Sequence, residues 1–501
     1  MSLHWPIIKS LLANPRRPAV VDDRRTVKAV ELVVGAAHLA AHLAPRCATD
    51  TLGVMLPTSA AFPVAALAGW MLGKVIVPLN YLLKADDLRY ILQDCGTDTV
   101  VTVQPMLDYL GPAAVAEAFG DGARLTRLED VDFKGVPDLR WPAAAEDDDL
   151  AVLLYTSGTS GRPKGVMLTH GNISANMDQI CDHVHFTSRD VMLGVLPQFH
   201  SFGLTVLTLL PLTAGIKVVY TARFVPNKLV KLIREHRPTV FVAIPSMYNA
   251  LLHLKDATAE DFASLRYIVS GGEPLPQAVF EGFRERFGVT INEGYGLTET
   301  SPVTNWCRPH EWRPRTVGMP LPRVRERIVD LNTGEDLPPG REGEIRIAGP
   351  NVMRGYYRLP EATAAAFDEH GYLKTGDIGR FDEDGFLYIT GRLKEMLIIG
   401  GENVFPREIE EVLNRHPAVK DSGVVGIPDP MRGEAPVAFV EMAEGAEFNE
   451  RELIAWCRQS LPGCKAPAEI RRVDALPRNP TGKVMRRELK AMLGDAAASP
   501  A

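Results

Sequence analysis

The sequence predicts an α/β fold of parallel, doubly wound sheets followed by a smaller α+β unit. Two series of alternating strand and helix patterns carry that prediction, one between Ala19 and Val103 and one beginning at Asp190. The third observation is a shift after Asn332 toward Gly, Pro and charge with short strands, which marks a β-rich part. Strands alternating with helices favour parallel sheets, because each crossover helix has to cover one face of the sheet.

In the first series, AVELVVGAAHLAAHL (Ala29 to Leu43) repeats apolar residues at helical spacing, LGVML and KVIVPL read as buried strands, and DDLRYILQDC as a helix leading into TDTVVTV. Thr51 to Gly73 is uncharged and long enough to cross a bilayer, but Pro57, Thr58, Ser59 and Pro63 break it. A buried strand, a turn and a buried helix account for it, leaving peripheral membrane contact at most. An acidic run, Glu146 to Asp149, then precedes LAVLLY (Leu150 to Tyr155).

The next stretch is YTSGTSGRPKGVMLTH, Tyr155 to His170. Gly158, Gly161 and Gly165 let the backbone approach an anion closely. Thr156, Ser157, Thr159 and Ser160 offer hydroxyl donors, and Lys164 supplies a point charge to phosphate oxygens. The spacing does not fit a Walker A loop. Taken alone, the run also suits a flexible Gly/Ser turn with a solvated lysine.

In the second series, DVMLGVLPQFHSFG brings a strand to His200 in a turn between Phe199 and Phe202, where it suits a pocket wall or gate as well as a structural role. SLRYIVSGGEPLP ends a strand in Gly271-Gly272, and VTINEGYGLTETSP ends another in Tyr295, Gly296, Thr298 and Glu299. In an open α/β sheet such loops lie beyond the carboxyl ends of strands, where ligands bind. Tyr295 offers a ring for a base, Thr298 a hydroxyl for a phosphate, and Glu299 a hard oxygen for Mg²⁺. Singly, each also fits a surface turn.

The β-rich part holds GEIRIAG, GYLKTGD and GFLYITG, with Asp377 in a Gly-flanked turn where a carboxylate could accept two ribose hydroxyls. After GRLKEMLIIGGENVFPREIEEVLNRHP the chain forms the small α+β unit, and LPRNPTGKVMRREL places Lys483 on a Pro/Gly turn leading into a helix. The predicted boundaries are residues 1–392, 393–490 and a small, polar tail, 491–501, expected to be disordered.

The 501 residues are 46% hydrophobic and 23% charged with a net charge of −7, so no basic field exists for nucleic acid and anions need local sites. Six cysteines lack a C-x-x-C pair and are read as reduced and structural. The opening MSLHWPIIKS is not a secretory signal, and a cytoplasmic location is expected.

Taken together, YTSGTSGRPKGV, GYGLTETSP, YLKTGD, GRLKEMLIIGGENVFPREIE and PTGKVMRREL, in this order, resemble the adenylate-forming superfamily of acyl-CoA synthetases, firefly luciferases and peptide-synthetase adenylation domains. The match runs from about Ala19 to Leu489. It implies a large N-terminal domain of two β/α subdomains plus a small β-barrel-like part, then a small mobile C-terminal domain hinged at Lys394. It implies ATP, Mg²⁺ and coenzyme A as cofactors, and an AMP-forming acid–thiol ligase whose substrate is a medium- or long-chain fatty acid. An aryl- or short-chain acid ligase, an acyl-carrier-protein acceptor and a luciferase-like adenylating oxygenase are the alternatives, and a homodimer is left open.

By the same resemblance, Thr156 to Lys164 clamp the β- and γ-phosphates, Gly271, Gly272, Tyr295 and Gly296 flank adenine, and Thr298 meets the α-phosphate. Glu299 with Thr156 holds Mg²⁺, Asp377 with Arg392 grips ribose, and His200 stands among the catalytic residues. Lys483 bridges the carboxylate and the α-phosphate, and Gly400 and Gly401 line a pantetheine tunnel in a second conformation. Ser160, Gln198, Glu273 and Ala348 depart from the commoner family residues. Glu273 is the most consequential, because a carboxylate near the acyl pocket would repel a second negative charge on the substrate.

Overall fold

The computed structural model describes residues 2–496 apart from 121, 139–140, 157–161, 310, 464 and 479–483. Among these residues the chain builds four sheets. The second β/α series forms the centre of a nine-stranded sheet, with parallel neighbours Ile291–Gly296, Tyr267–Ser270, Val240–Ala243, Val191–Gly194 and Lys217–Tyr220. These strands are short Val/Ile/Leu-rich runs buried on both faces, as parallel sheets require. Antiparallel strands close both edges, including Val303–Trp306 beside Ile291–Gly296.

The first series gives the core of a seven-stranded sheet. Val75–Pro78, Thr51–Val54 and Thr99–Thr102 run parallel, and Leu150–Thr156 joins them before turning back antiparallel as Lys164–Thr169. The predicted helix Ala29–Leu43 is found with those bounds. The run LTVLTLLPLTAG, read as one helix, opens as a π-helical turn, Thr205–Leu209, before its α-helical part, Leu210–Ala214. Such wide turns cluster at functional sites.

The β-rich part is a four-stranded antiparallel sheet carrying Gly343–Ala348, Leu373–Phe381 and Leu387–Arg392. It shares one continuous apolar core with the two larger sheets. Beyond it, the last sheet packs Pro406–Leu413 and Glu450–Ser460 over separate cores of its own. The fold is therefore a large N-terminal domain with a small C-terminal one. Arg407 links them, its Nη1 donating to the Ile389 carbonyl at 2.6 Å. The final helix, Arg486–Ala496, runs into the segment read as a tail, since its first residues, Arg-Arg-Glu-Leu-Lys-Ala-Met-Leu, are strong helix formers.

A polar clamp fixes the amino ends of the central parallel strands, opposite the ligand side. Asp190 accepts from Arg266 at 2.7 and 2.8 Å, from Thr239 Oγ1 at 2.7 Å and from the Thr187 N–H at 2.8 Å. Burial alone would raise its pKa, but Arg266 and the Thr187 and Thr239 donors outweigh it and hold the carboxyl at about 2. A depressed carboxyl contributes stability that is present above its ordinary value of 3.8 and is lost as pH falls from there toward 2. Asp190→Ala is expected to cost about 2 kcal/mol and to flatten that acid limb, as read by urea unfolding between pH 2 and 7.

Candidate functional site

The carboxyl ends of the parallel strands in the nine-stranded sheet face the hairpin of the seven-stranded sheet and the edge of the β-rich sheet. Between them lies a cavity of about 1240 Å³. Ligands are expected at this place in an open α/β sheet.

Tyr295 ends the strand Ile291–Gly296 and donates its hydroxyl to Asp377 Oδ2 at 2.7 Å. Asp377 and Arg392 face each other across the strands Leu373–Phe381 and Leu387–Arg392, and Arg392 Nε donates to Asp377 Oδ1 at 2.7 Å. The Asp377 charge raises the Arg392 pKa against the opposing effect of burial. Burial, and then Asp377, lift the Tyr295 phenol well above its ordinary value, so it stays a neutral donor. The result is an aromatic face beside a carboxylate that keeps acceptor capacity for sugar hydroxyls. Gly296 is required by contact: a Cβ there would lie 1.9 Å from the Pro302 carbonyl oxygen.

The turn Thr298–Thr300 follows. The Glu299 carbonyl accepts from Met353 N at 2.8 Å, and Glu299 Oε1 accepts from the Tyr356 hydroxyl at 2.9 Å. Lys164 Nζ stands 5.0 Å from the centroid of the same Tyr356 ring, within cation–π range. Tyr356 thus joins the lysine of the phosphate hairpin to the carboxylate of the opposite sheet. Thr156 pairs with Lys164 across the hairpin, and both line the cavity.

Gly271 and Gly272 line the cavity beyond the strand Tyr267–Ser270. His200 lines it too; its Nδ1 accepts from Phe202 N at 3.4 Å, and burial lowers its pKa, favouring the neutral ring. Ser201 Oγ lies 3.4 Å from Thr298 Oγ1. Gly400 and Gly401 do not line this cavity and form the turn between Leu397–Ile399 and Glu402–Val404. Ser157, Gly158, Thr159, Ser160, Gly161 and Lys483 lie outside the described residues.

Two departures from the family pattern find a place. Gln198 is buried; its Oε1 accepts from Ser59 N at 2.9 Å and its Nε2 donates to Thr208 Oγ1 at 3.1 Å, tying the His200 loop to the neighbouring subdomain. Glu273 lines the cavity. Tyr356, Ser201 and Trp306 line it as well and were missed by sequence reasoning.

Among the described residues no cluster of three or more His, Cys, Asp or Glu side chains could hold a metal by itself. Glu299 still fits Mg²⁺, which keeps several waters and is commonly bound by one or two carboxylates plus substrate phosphates. Only Oε1 of Glu299 is engaged, by Tyr356, so Oε2 has no hydrogen-bond partner among the described residues.

Comparison with known proteins agrees with this geometry. The AMP-binding enzyme model matches residues 9–357, and the AMP-binding enzyme C-terminal domain model matches residues 408–483. The chain belongs to this family of adenylate-forming enzymes. It is 34% identical over 483 residues to a long-chain-fatty-acid–CoA ligase of Bacillus subtilis (strain 168), covering 88% of this chain and 85% of the other. It is 32% identical over 494 residues to a feruloyl-CoA synthase of an Amycolatopsis species, covering 98% of each. The o-succinylbenzoate–CoA synthetase of Bacillus subtilis, solved with ATP and magnesium, superimposes with a TM-score of 0.87 at 31% identity over 97% of this chain and 99% of that one.

Proposed function

We propose that the chain is an ATP-dependent ligase that joins an apolar monocarboxylic acid to the thiol of coenzyme A through an acyl-adenylate. The observation that carries this reading is the meeting of Lys164, Glu299, Thr298, Tyr295 and Arg392 around one cavity, with Asp377 bonded to the last two. A medium- or long-chain fatty acid is the first reading from sequence and an aryl- or short-chain acid the second. The fatty-acid and feruloyl relatives support one each, and both are apolar acids.

In the first half-reaction a carboxylate oxygen attacks the α-phosphorus of ATP, the bond to the β-phosphate breaks and pyrophosphate leaves. In the second, the thiol sulfur attacks the acyl carbon, the acyl–oxygen bond to AMP breaks and AMP leaves with the electron pair. The Tyr295 ring and the Gly271-Gly272 turn hold the base, while Asp377 and Arg392 orient ribose. Thr298 donates toward the α-phosphate, and Lys164 stands where charge passes to the leaving pyrophosphate. A cation preplaced there stabilises the transition state more than the ground state. Mg²⁺, when bound at Glu299, supplies charge neutralisation on the same phosphates. His200, neutral at the cavity wall, gates the path between acyl group and thiol.

Rotation of the small domain about Lys394 separates the two half-reactions, and the Gly400-Gly401 turn then lines the thiol's path. Both glycines sit in the left-handed region, with φ of 61° and 87°. Gly401→Leu is expected to slow thioester formation at least tenfold while sparing adenylation. Gly401→Ala carries the same backbone strain with less bulk and separates strain from obstruction, each half-reaction being timed by single-turnover assay.

No helix of the described residues is long and apolar enough to cross a membrane, and the cytoplasmic location stays the reading from sequence. A carrier-protein acceptor and a homodimer stay subordinate readings. The test of the function is pyrophosphate release with Mg-ATP across fatty, aryl and short acids, each with and without coenzyme A. Release that one acid class supports and coenzyme A accelerates is expected; release indifferent to every acid would contradict the proposal.

A further inference from the structure

The hairpin that carries Thr156 and Lys164 has a second face. Thr156 pairs directly with Lys164 across its two strands, and Tyr155 pairs with Gly165 one position along. Directly paired residues share a face of a sheet, and successive residues alternate between faces. Thr156 and Lys164 line the cavity, so Tyr155 and Gly165 belong to the face turned away from it. Gly165 leaves room there for the phenol ring: a Cβ on it would lie 3.1 Å from Tyr155 Cζ and 3.0 Å from Leu153 Cδ1.

The helix Ala85–Cys95 holds that far face. Asp94 Oδ2 accepts from the Tyr155 hydroxyl at 2.5 Å. Burial, and then Asp94, push the Tyr155 phenol above its ordinary value, so it stays a neutral donor. Tyr90, four residues earlier on the same side of the helix, carries the Arg162 guanidinium 5.2 Å from its ring centroid. The Asp94 backbone carbonyl accepts from Arg358 Nη1 at 2.7 Å. Arg358 ends the segment whose Tyr356 pairs with Val166 and whose Tyr357 N donates to the Gly165 carbonyl at 2.8 Å. One helix end is therefore bonded to both flanks of Lys164: to the hairpin through Tyr155, and to the neighbouring Tyr356 strand through Arg358. Tyr90, Asp94 and Tyr155 do not line the cavity, so what they do to a phosphate passes through Thr156 and Lys164.

We infer that Asp94 and Tyr155 form a positioning pair, backed by Tyr90, that sets Thr156 and Lys164 against the β- and γ-phosphates of ATP and so serves adenylation alone. The inference rests on the ligase reading above. A phenol donating to a carboxylate makes a short, directional, charge-assisted bond, which fixes the hairpin's height above the cavity. Lys164 reaches its phosphate from that backbone, and a displacement of about 1 Å at a reacting group can cost about 10² in rate. Attack of the thiol on the acyl-adenylate involves no β- or γ-phosphate. That step should not sense the pair.

The experiment compares wild type, Tyr155→Phe, Asp94→Ala, Asp94→Asn and the double variant Asp94→Ala/Tyr155→Phe. Benzoate, cinnamate, butanoate and octanoate are the probe acids, and the one that wild type uses best is carried forward with its acyl-adenylate. Exchange of labelled pyrophosphate into ATP gives kcat/KM for ATP and for pyrophosphate and KM for the acid; thiolysis of the supplied acyl-adenylate by coenzyme A is timed separately. Tyr155→Phe and Asp94→Ala are each expected to lower kcat/KM for ATP and for pyrophosphate by about tenfold to 10²-fold. KM for the acid and the rate of thiolysis should stay within a few-fold of wild type. The double variant should fall no further than the worse single one, since both remove the same bond. Asp94→Asn keeps an acceptor oxygen in place and should recover most of the loss. Thiolysis that falls in step with exchange would make the pair merely structural and overturn the inference, as would unchanged kinetics or losses that multiply in the double variant. Tyr155→Phe removes a single oxygen and still decides the matter if Asp94→Ala fails to fold. These outcomes leave the ligase reading intact, whereas wild-type exchange that no acid supports overturns that reading and the inference with it.

Discussion

Glu299→Gln is expected to lower the rate of acyl-adenylate formation by about 10² to 10³ while leaving the protein folded. Glutamine keeps the shape of the side chain and an oxygen for the Tyr356 hydroxyl, which donates to Glu299 Oε1 at 2.9 Å, and the backbone bond from Met353 N is untouched. What it removes is the negative charge facing Lys164 across the Tyr356 ring, the hard ligand on which Mg²⁺ would depend. The loss should therefore fall on kcat at saturating ATP and be eased in part by raised Mg²⁺. It is measured as initial pyrophosphate release over a Mg²⁺ titration. An unchanged kcat would remove Glu299 from the metal's coordination.

Lys483→Ala is expected to abolish most adenylation, by about the same 10² to 10³, yet to leave thiolysis of supplied acyl-AMP within a few-fold of wild type. Lys483 itself lies outside the described residues, and its role comes from the PTGKVMRREL motif. The helix that follows it is anchored: Arg486 Nε pairs with Glu395 at 3.0 Å, beside the Lys394 turn, and its Nη2 donates to Glu410 Oε2 at 3.0 Å. Any motion of the segment is thereby tied to the small domain as a whole. A lysine that serves only one orientation of that domain should matter to only one half-reaction, so equal loss of both would contradict the alternation.

The sequence made visible what repeats or concentrates a chemistry. Fully buried parallel strands such as Val240–Ala243 read as uninterrupted apolar runs, and the helix Ala29–Leu43 shows its period directly. Asp377 could be read because a Gly-flanked carboxylate follows a short recognisable strand; Arg392 came only from the family resemblance, and the fold pairs the two in register. The N-terminal helix His4–Ala13 was not read: it has no side-chain cap, and Pro6 stands within its first turn. Tyr356 was not legible either, since its meaning lies in a hydrogen bond to Glu299, fifty-seven positions away in the chain. Residues whose role is set by a long-range partner leave no local pattern to find.

The central claim is that activation proceeds through an acyl-adenylate at the Lys164, Glu299 and Tyr295–Asp377 site. The most direct measurement is acid-dependent exchange of labelled pyrophosphate into ATP, with Mg²⁺ present and coenzyme A withheld. Exchange that requires a carboxylic acid and collapses in Glu299→Gln is the expected result. Absence of exchange with every acid, or formation of ADP and inorganic phosphate in place of AMP and pyrophosphate, would contradict it.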